Sequence, residues 1–265
     1  MHQLNNICFC LLATLMAWVA TSCTEKIDLV LKNAGPQLVI EGRVTDEPGP
    51  YYVLVSKSTP YNTKQILEGV DSAIVVISDD AGNTDTLTKI IQGVYLTNTL
   101  QGVVGRRYLL EVRTEEKLYQ AFSTMPPPVA IDSIGFDRSI GFDNRESLSA
   151  DCFFRDPAGV ANYYKVEANI NGEKQPSNEA SADRLWDGKF RNLFIPNDTL
   201  IAGDTLEVSL LMLDGKVFEY FNALEDVGGG FNQPAAPANP PTNIMPQTLG
   251  YFSAHSVSKK IAIVP

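Results

Sequence analysis

Short runs of alternating apolar and polar residues, separated by turn-forming residues, fill the chain from Gln37 to Phe122. Alternation with a period of two is typical of a strand that buries one face and exposes the other to water. The pattern predicts seven strands, at Leu38–Val44, Tyr51–Ser56, Ala73–Ser78, Thr84–Ile90, Gly93–Asn98, Arg107–Arg113 and Lys117–Phe122. Seven short strands separated by turns predict an antiparallel β-sandwich over residues 37–124.

A second β-rich domain, residues 131–265, follows a stiff connector at residues 125–130, where three consecutive prolines cannot donate ladder hydrogen bonds. Its predicted strands are Ile131–Phe136, Ser147–Phe154, Asn162–Ile170, Thr205–Leu213, Tyr251–Ser253 and Lys259–Val264. Apolar residues at helical spacing predict a helix at Val217–Val227, which the glycines that follow it end. We interpret its aromatic face as core packing. The predicted fold class is mainly β, with one or two short helices in the second domain.

The segment 228–243 is rich in Pro, Gly and Ala, so it cannot form a helix or a central strand. Long irregular segments inside compact domains tend to be functional or disordered. We predict a partner-facing loop there, with a loop that merely covers the domain as an equally favoured alternative. The candidate contact residues are Phe231, Asn232, Pro240 and Pro241.

The N-terminus has the layout of a bacterial lipoprotein signal. An uncharged, mostly apolar run spans Ile7–Ala20, which is shorter than the ~20 residues of a transmembrane helix, and Cys23 follows it. We predict a signal peptide over residues 1–22, a palmitate-containing lipid anchor on Cys23, and a tether over residues 23–36. The segment before the apolar run has no Lys or Arg, so an ordinary secretory signal with a chance cysteine is the alternative.

The composition excludes several classes of function. A net charge of −10 without a basic cluster argues against nucleic-acid binding. After removal of the signal and acylation of Cys23, Cys152 is the only free cysteine and His255 is the only histidine. Zinc sites and Ser-His or Cys-His catalysis therefore lack their usual residues. We predict no catalytic residue, no metal and no cofactor, and we interpret Cys152 as a small buried apolar residue.

Acidic residues remain as candidate chemistry. Asp79, Asp80, Asn83 and Asp85 place four oxygen-bearing side chains within seven residues, but the spacing of a calcium-binding loop fails, and we interpret the segment as a hairpin turn. A glycan hydrolase that uses only Asp and Glu stays an alternative, because a sequence cannot show whether two acids face each other across a cleft.

One triplet recurs more often than composition predicts: Asp, then Ser or Thr, then an aliphatic or methyl-bearing residue. It resembles the O-glycosylation signal of Bacteroidota envelope proteins. Its candidate acceptor residues are Ser72, Thr86, Ser133, Thr199 and Thr205. The alternative, which we weigh equally, is that the triplet marks the entry from a turn into a strand, where Asp and Thr are both favoured.

Longer segments carry two family resemblances. In the first half, residues 42–46, 73–75, 79–82, 93–95 and 105–112 stand in the order of a transthyretin-like, carboxypeptidase-regulatory β-sandwich, which implies an Ig/transthyretin-like topology. In the second half, the segments DPAGVANYYKVEA, AGDTLEVSLLMLDGKVFEYFNAL and NPPTNIMPQTLGYFSAHSVSKK resemble a Bacteroidota lipoprotein family catalogued as domain of unknown function 4249. The resemblance implies an outer-membrane lipoprotein beside a TonB-dependent transporter or another envelope assembly, and it carries over no site residues.

These features predict a non-enzymatic binding or accessory module that is lipid-anchored in the outer membrane. Glu25 and Asp28 are a diluted form of the acidic cluster that sends some lipoproteins to the cell surface, so the surface is favoured over the periplasmic face. The expected partners are the membrane and either an outer-membrane transporter or a surface polysaccharide or peptide. A carboxylate-only glycan hydrolase and a passive scaffold of an envelope complex are the alternatives.

Overall fold

The alternating segments form 18 strands and one helix in the described part of a computed structural model. The described residues are 35–59, 68–115, 117–140, 146–177, 179–196, 200–228 and 239–265. The strands are β1 (Leu38–Thr45), β2 (Tyr52–Lys57), β3 (Glu68–Gly69), β4 (Ile74–Asp79), β5 (Thr84–Thr86), β6 (Thr88–Ile91), β7 (Val94–Leu96), β8 (Arg107–Arg113), β9 (Leu118–Thr124), β10 (Ile131–Ile140), β11 (Glu146–Arg155), β12 (Tyr163–Ile170), β13 (Glu173–Lys174), β14 (Ala180–Ala182), β15 (Phe190–Phe194), β16 (Thr205–Leu213), β17 (Ile244–Met245) and β18 (Leu249–Ile263). The helix is α1 (Gly215–Gly228). The predicted mainly β fold class is confirmed.

The strands form three sheets. The largest has ten strands in the order β13-β12-β16-β18-β1-β2-β7-β6, with β14 beside β12 and β3 beside β2. A five-stranded sheet has the order β17-β9-β8-β4-β5, and a three-stranded sheet has the order β10-β11-β15. In the large sheet, β1 and β18 pair in parallel, whereas β18 pairs with β16 in the antiparallel direction.

One face of the ten-stranded sheet carries two hydrophobic cores side by side. Alternate residues of β1, β2 and β18, such as Ile40, Val53 and Phe252, pack against apolar residues of the five-stranded sheet. Alternate residues of β12 and β16, such as Val166 and Leu210, pack against apolar residues of the three-stranded sheet. The two small sheets therefore cover different parts of one shared wall.

The long strand β18 joins the two halves of the molecule. Its first part, from Leu249 to His255, pairs with β1, and its second part, from Ser256 to Ile263, pairs with β16. Ile244, Phe252 and Ala254 consequently belong to the first core, although they come from the C-terminal part of the chain. Pro36–Pro265 forms one compact unit. The first core therefore contains residues from both sides of the connector predicted at residues 125–130.

The predicted strand Thr84–Ile90 is broken in the structure. Its first part, β5, pairs with β4 in the five-stranded sheet, and its second part, β6, pairs with β7 in the ten-stranded sheet. Leu87 lies between them, buried in the first core, and its N–H donates to the carbonyl oxygen of Val75 at 2.9 Å. The chain therefore passes from the five-stranded sheet to the ten-stranded sheet at the residue whose side chain is buried, Leu87.

Helix α1 packs on the opposite face of the ten-stranded sheet. Asp214 caps its N-terminus, because its Oδ1 accepts the N–H groups of Lys216 and Val217 at 2.9 and 3.0 Å. The helix places Val217 and Phe218 in a third apolar cluster. The predicted helix at Val217–Val227 lies within α1, and the interpretation of its aromatic face as core packing is confirmed. Among the described residues, no helix is long and apolar enough to cross a membrane.

Candidate functional site

A polar groove of about 320 Å³ lies on the same face of the ten-stranded sheet as helix α1. Its floor is formed by the residues that alternate with the core residues on four neighbouring strands. Register places Glu167 beside Ser209 and Ser209 beside Lys259, so one row of polar residues crosses β12, β16 and β18. Leu211 and Val257 belong both to the groove and to the apolar cluster under α1, so the groove adjoins that cluster.

A line of ion pairs forms one side of the groove. Glu167 contacts the ammonium group of Lys165 through Oε1 at 3.1 Å and that of Lys174 through Oε2 at 2.8 Å. The Lys165 side chain is only 3% exposed, and its ammonium group also lies 5.2 Å from the centre of the Phe221 ring. Burial alone would raise the pKa of Glu167, but the two ammonium groups outweigh it and lower the pKa to about 2. Glu167 is therefore ionised at neutral pH.

The other cations of the groove have different surroundings. The ammonium group of Lys259 lies 2.8 Å from Glu47 and 4.0 Å from Glu207. The guanidinium of Arg43 instead stacks on the ring of Tyr52, 4.6 Å from its centre. The described part of the chain offers Arg43 no carboxylate within ion-pair distance. The groove thus contains paired lysines and one arginine whose hydrogen-bond donors are available.

The rim of the groove at the end of β1 is fixed by side-chain hydrogen bonds. The Tyr51 hydroxyl donates to the carbonyl oxygen of Glu47 at 2.6 Å and accepts the N–H of Gly102 at 2.9 Å. The N–H of Val257 donates to Asp46 Oδ1 at 2.8 Å. These contacts tie the loop after β1 to two other segments, so this side of the groove is preorganised.

His255 lines the groove but does not form a catalytic pair. Its Nδ1 shares a hydrogen bond of 2.9 Å with the Ser253 hydroxyl. Ser253 is only 1% exposed, so a substrate cannot reach this hydroxyl. Burial lowers the pKa of His255 to about 4, which keeps its imidazole neutral at neutral pH. The contact therefore fixes the orientation of the ring.

Cys152 lies away from the groove. It is fully buried in the second core, between the three-stranded sheet and the large sheet, whereas His255 lies on the other face of the large sheet. Burial raises the pKa of the Cys152 thiol to about 12, and the nearby Asp132 and Asp151 carboxylates add to this effect. A thiol held in its protonated form is a poor nucleophile. The interpretation of Cys152 as a small buried apolar residue is confirmed.

The carboxylates of the groove do not form an acid–base pair. Glycosidases that use two carboxyl groups need one of them to be protonated when the substrate binds. Glu167 contacts two lysines, and Glu47 and Glu207 share Lys259. Each of these glutamates therefore faces an ammonium group, an arrangement that does not favour a hydrolase.

The candidate acceptors of O-glycans lie on different parts of the surface. Ser72, Thr86, Ser133 and Thr205 are all exposed, and Thr199 lies outside the described residues. The structure does not bring the four together: Ser72 precedes β4, and the others belong to β5, β10 and β16.

Three aspartates of the same triplets accept backbone N–H groups. Oδ2 of Asp85 is buried and accepts the N–H groups of Asn98, Thr99 and Leu100 at 2.7 to 2.8 Å. Asp71 Oδ1 accepts the N–H of Gly93 and Asp204 Oδ2 that of Ile201, each at 2.9 Å. These contacts are those expected of aspartates that fix turns, so they favour the alternative of a turn-to-strand marker at these three triplets.

The acidic segment after β4 is a hairpin turn, as predicted. Asp79 Oδ1 accepts the N–H groups of Ala81 and Asn83 at 3.1 and 2.9 Å, and its Oδ2 pairs with Arg106 at 2.6 Å. Asp85 points to a different group of donors, the N–H groups at residues 98–100. The two carboxylates are thus engaged separately by groups of the chain itself.

Three aspartates that no sequence pattern predicts as a group lie together near the start of β12. Carboxylate oxygens of Asp156, Asp183 and Asp187 lie within 4.8 Å of one another. Asp156 accepts the hydroxyl of Tyr164 at 2.5 Å, and Asp183 accepts the N–H of Asn162 at 2.8 Å. The three residues are separated by up to 31 positions in sequence, so only the tertiary fold brings them together.

The predicted anchor and most of the predicted partner loop fall outside the described residues. Cys23, Phe231 and Asn232 are among the residues that the structure does not describe. Pro240 and Pro241 are described and precede β17. Pro240 lines a cavity of about 350 Å³ together with Gln37 and Leu38, at the start of β1.

Comparisons with known proteins identify the family. No curated protein matches the sequence. Among solved structures, the selenomethionine-substituted chicken interferon gamma receptor alpha chain is similar at 10% sequence identity, with a TM-score of 0.21, over 68% of this chain and 90% of that chain. The model of the family described as a domain of unknown function (DUF4249) matches residues 24–261. The chain therefore belongs to the DUF4249 family.

Proposed function

We propose that this protein is a non-enzymatic binding module, anchored to the outer membrane through Cys23, which uses the polar groove to hold a ligand. The observation that carries the proposal is the groove itself. Its volume of about 320 Å³ is at the lower end of the range of ligand sites, which is about 300–1,000 Å³. A passive scaffold has no need of a preorganised polar groove whose guanidinium has no carboxylate partner in the described chain.

An accessory role at the cell surface, beside an outer-membrane transporter, is the form of this function that we propose. The lipoprotein layout of residues 1–23 and the family resemblance support it. A Cys23→Ser variant tests the anchor: we expect it to lose palmitate incorporation and membrane association, whereas the wild-type protein retains both. Palmitate incorporation by the variant would contradict the assignment of the lipidated residue.

Capture from solubilised native envelopes tests the binding function. Ser209 lies on the floor of the groove, so Ser209→Trp fills it, whereas Ile263→Trp places the same side chain at an exposed position on the neighbouring strand β18. We expect the wild-type protein and Ile263→Trp to retain the same glycans and proteins, and Ser209→Trp to lose them. Circular dichroism is the measurement that checks whether both variants fold. Equal retention by folded Ser209→Trp would exclude the groove as the binding site.

We also propose O-glycosylation on one or more of the exposed residues Ser72, Thr86, Ser133 and Thr205. Their exposure supports access by a transferase. Intact-mass analysis of the protein purified from native envelopes should show added sugar. A mass equal to that of the unmodified lipoprotein would remove this part of the proposal.

A further inference from the structure

The chemistry of the groove distinguishes Arg43 from the other cations. Lys165 and Lys174 share Glu167, and Lys259 contacts Glu47 and Glu207, whereas no carboxylate of the described residues pairs with Arg43. A protein with a net charge of −10 has ample acids with which to pair an arginine. An unpaired guanidinium in a groove is therefore a candidate contact for an anion that comes from outside the chain.

The surroundings of Arg43 prepare it for a planar anion. The contact with the Tyr52 ring, 4.6 Å from its centre, holds the guanidinium without using its N–H donors. Within the described residues, Glu41, on the same face of β1, forms no ion pair with it. Ser253, its register neighbour on β18, shares its hydrogen bond with His255, which is neutral at neutral pH. A carboxylate matches the two parallel donors of a guanidinium in both charge and shape.

The floor of the groove offers a peptide little backbone to pair with. Peptides that bind by strand addition pair with an exposed sheet edge. The strand β12 pairs with β16 throughout its length, and β16 also pairs with β18 from Ser256 onwards. Where β1 ends at Thr45, the N–H of Val257 on β18 already donates to Asp46 Oδ1. A ligand in the groove is therefore recognised mainly by side chains.

These side chains offer donors and acceptors next to one another. Each lysine–glutamate pair presents an ammonium group beside a carboxylate, and Asn169 and Ser209 add an amide and a hydroxyl. Sugar hydroxyls both donate and accept, so neighbouring hydroxyls of a pyranose ring match such a surface. A peptide without a free edge to pair with would leave many of its backbone groups unsatisfied there.

We propose that the groove binds an acidic oligosaccharide, with the carboxylate of a uronic acid residue on the guanidinium of Arg43 and ring hydroxyls on the neighbouring lysine–glutamate pairs. This inference rests on the proposed binding function and names the class of its ligand. Recognition needs no covalent step, and the sugar leaves unchanged.

Calorimetric titration of the folded, full-length protein with trigalacturonate tests the inference. Maltotriose, a neutral trisaccharide, and triglutamate, an acidic peptide, are the comparison ligands. We expect trigalacturonate to bind at least about tenfold more tightly than either. Maltotriose lacks a carboxylate, whose hydrogen bonds are roughly twice as strong as those of neutral groups, and triglutamate would leave backbone groups unpaired in the groove. Equal binding of maltotriose would show that the carboxylate is not recognised.

Substitution of Arg43 gives the sharper test. Arg43→Gln should weaken trigalacturonate binding about 10- to 100-fold, and Arg43→Lys, which keeps the charge but loses the paired donors, should have an intermediate effect. Arg107→Gln is the matched control, because the guanidinium of Arg107 also stacks on a ring, that of Phe122 at 4.2 Å, outside the groove. Unchanged affinity in Arg43→Gln would overturn the inference.

The outcomes separate this inference from the proposed function. If triglutamate binds and trigalacturonate does not, the inference is wrong and the binding function stands. If none of the three ligands binds, the inference is again wrong, and the envelope capture with Ser209→Trp decides the binding function independently.

Discussion

The two faces of the ten-stranded sheet are formed by alternate residues of the same strands, yet their chemistry is opposite. On β12, Val166 and Ala168 face the second core, whereas Lys165 and Glu167 lie on the opposite face, where Glu167 lines the groove. On β18, Phe252 faces the first core, and His255 faces the groove. Two small sheets cover the first face, whereas, among the described residues, helix α1 and the loop after β1 cover part of the second.

The difference shows which face stabilises the fold. Apolar burial contributes about 25 cal/mol per Å² removed from water, so the face that carries two cores supplies most of the stabilisation. Buried ion pairs contribute little net stability, because desolvation of both charges opposes their attraction. Lys165 and Glu167 are thus poorly explained by stability alone, and the proposed binding role of their face would account for them.

The largest expected loss of stability comes from a substitution on the face of the ten-stranded sheet that carries the two cores. Phe252→Ala should lower the free energy of unfolding by about 3–5 kcal/mol, because the side chain is fully buried and its loss leaves a cavity. Ile261→Ala, on the opposite face of the same strand and 63% exposed, should change it by less than about 0.5 kcal/mol. Urea denaturation of both variants measures the contrast. Similar losses for both would refute the division between the two faces.

The next largest expected change in the free energy of unfolding concerns Lys165, the buried lysine beside the groove. Glu167→Gln should lower the free energy of unfolding at pH 7 by about 2–3 kcal/mol, because Lys165 is then buried without its counterion. Glu219→Gln breaks an exposed pair with Lys216 and should cost less than about 0.5 kcal/mol. Urea denaturation compares the two variants.

The pH dependence of this effect has a defined sign. The pKa of Glu167 is about 2 in the folded protein and 4.5 without perturbation, so its stabilisation is present above pH 4.5 and is lost as the pH falls towards 2. The difference in stability between the wild-type protein and Glu167→Gln should therefore shrink between pH 4.5 and 2. A constant difference would mean that Glu167 is not paired as an anion.

Much of the fold could be predicted from local patterns. Alternation in Arg107–Arg113 and Thr205–Leu213 predicted both strands with their observed bounds, because each strand has one apolar and one more polar face. The sequence predicted two separate strands where the structure has the single strand β18. The middle of this strand, AHSVS, places serines rather than large apolar residues on the core side, so the local pattern does not predict a strand there. The break at Leu87 depends on a passage between sheets, which local alternation does not show.

The groove could be predicted only in part. Its residues are spread from Arg43 to Lys259, and only the register of several strands brings them together. A local signal did exist: Lys165, Glu167 and Asn169 alternate with apolar residues on β12, and this marks a polar face. The sequence does not show that this polar face is partly buried, because the burial depends on helix α1 and on the loop after β1.

His255, the histidine of the groove, is expected to lower the stability of the protein at acid pH only. The pKa of His255 is about 4 in the folded protein and 6.5 without perturbation, so the unfolded chain binds a proton first and stability falls as the pH drops from 6.5 to 4. This contribution to the loss should be about 2–3 kcal/mol and should be absent from His255→Gln. Ser253→Ala keeps the imidazole and should keep the loss. Urea denaturation at pH 7 and pH 4 measures it in all three proteins.

The smallest expected effect on stability belongs to Arg43, the residue with the largest expected effect on binding. Its guanidinium has no carboxylate partner among the described residues, and stacking on a half-exposed tyrosine contributes about 0.5–1 kcal/mol. Arg43→Gln should therefore change the free energy of unfolding by less than about 1 kcal/mol in urea denaturation, far less than Glu167→Gln on the same face. A loss as large as that of Glu167→Gln would mean that Arg43 supports the fold, and its lack of a partner would no longer point to a ligand.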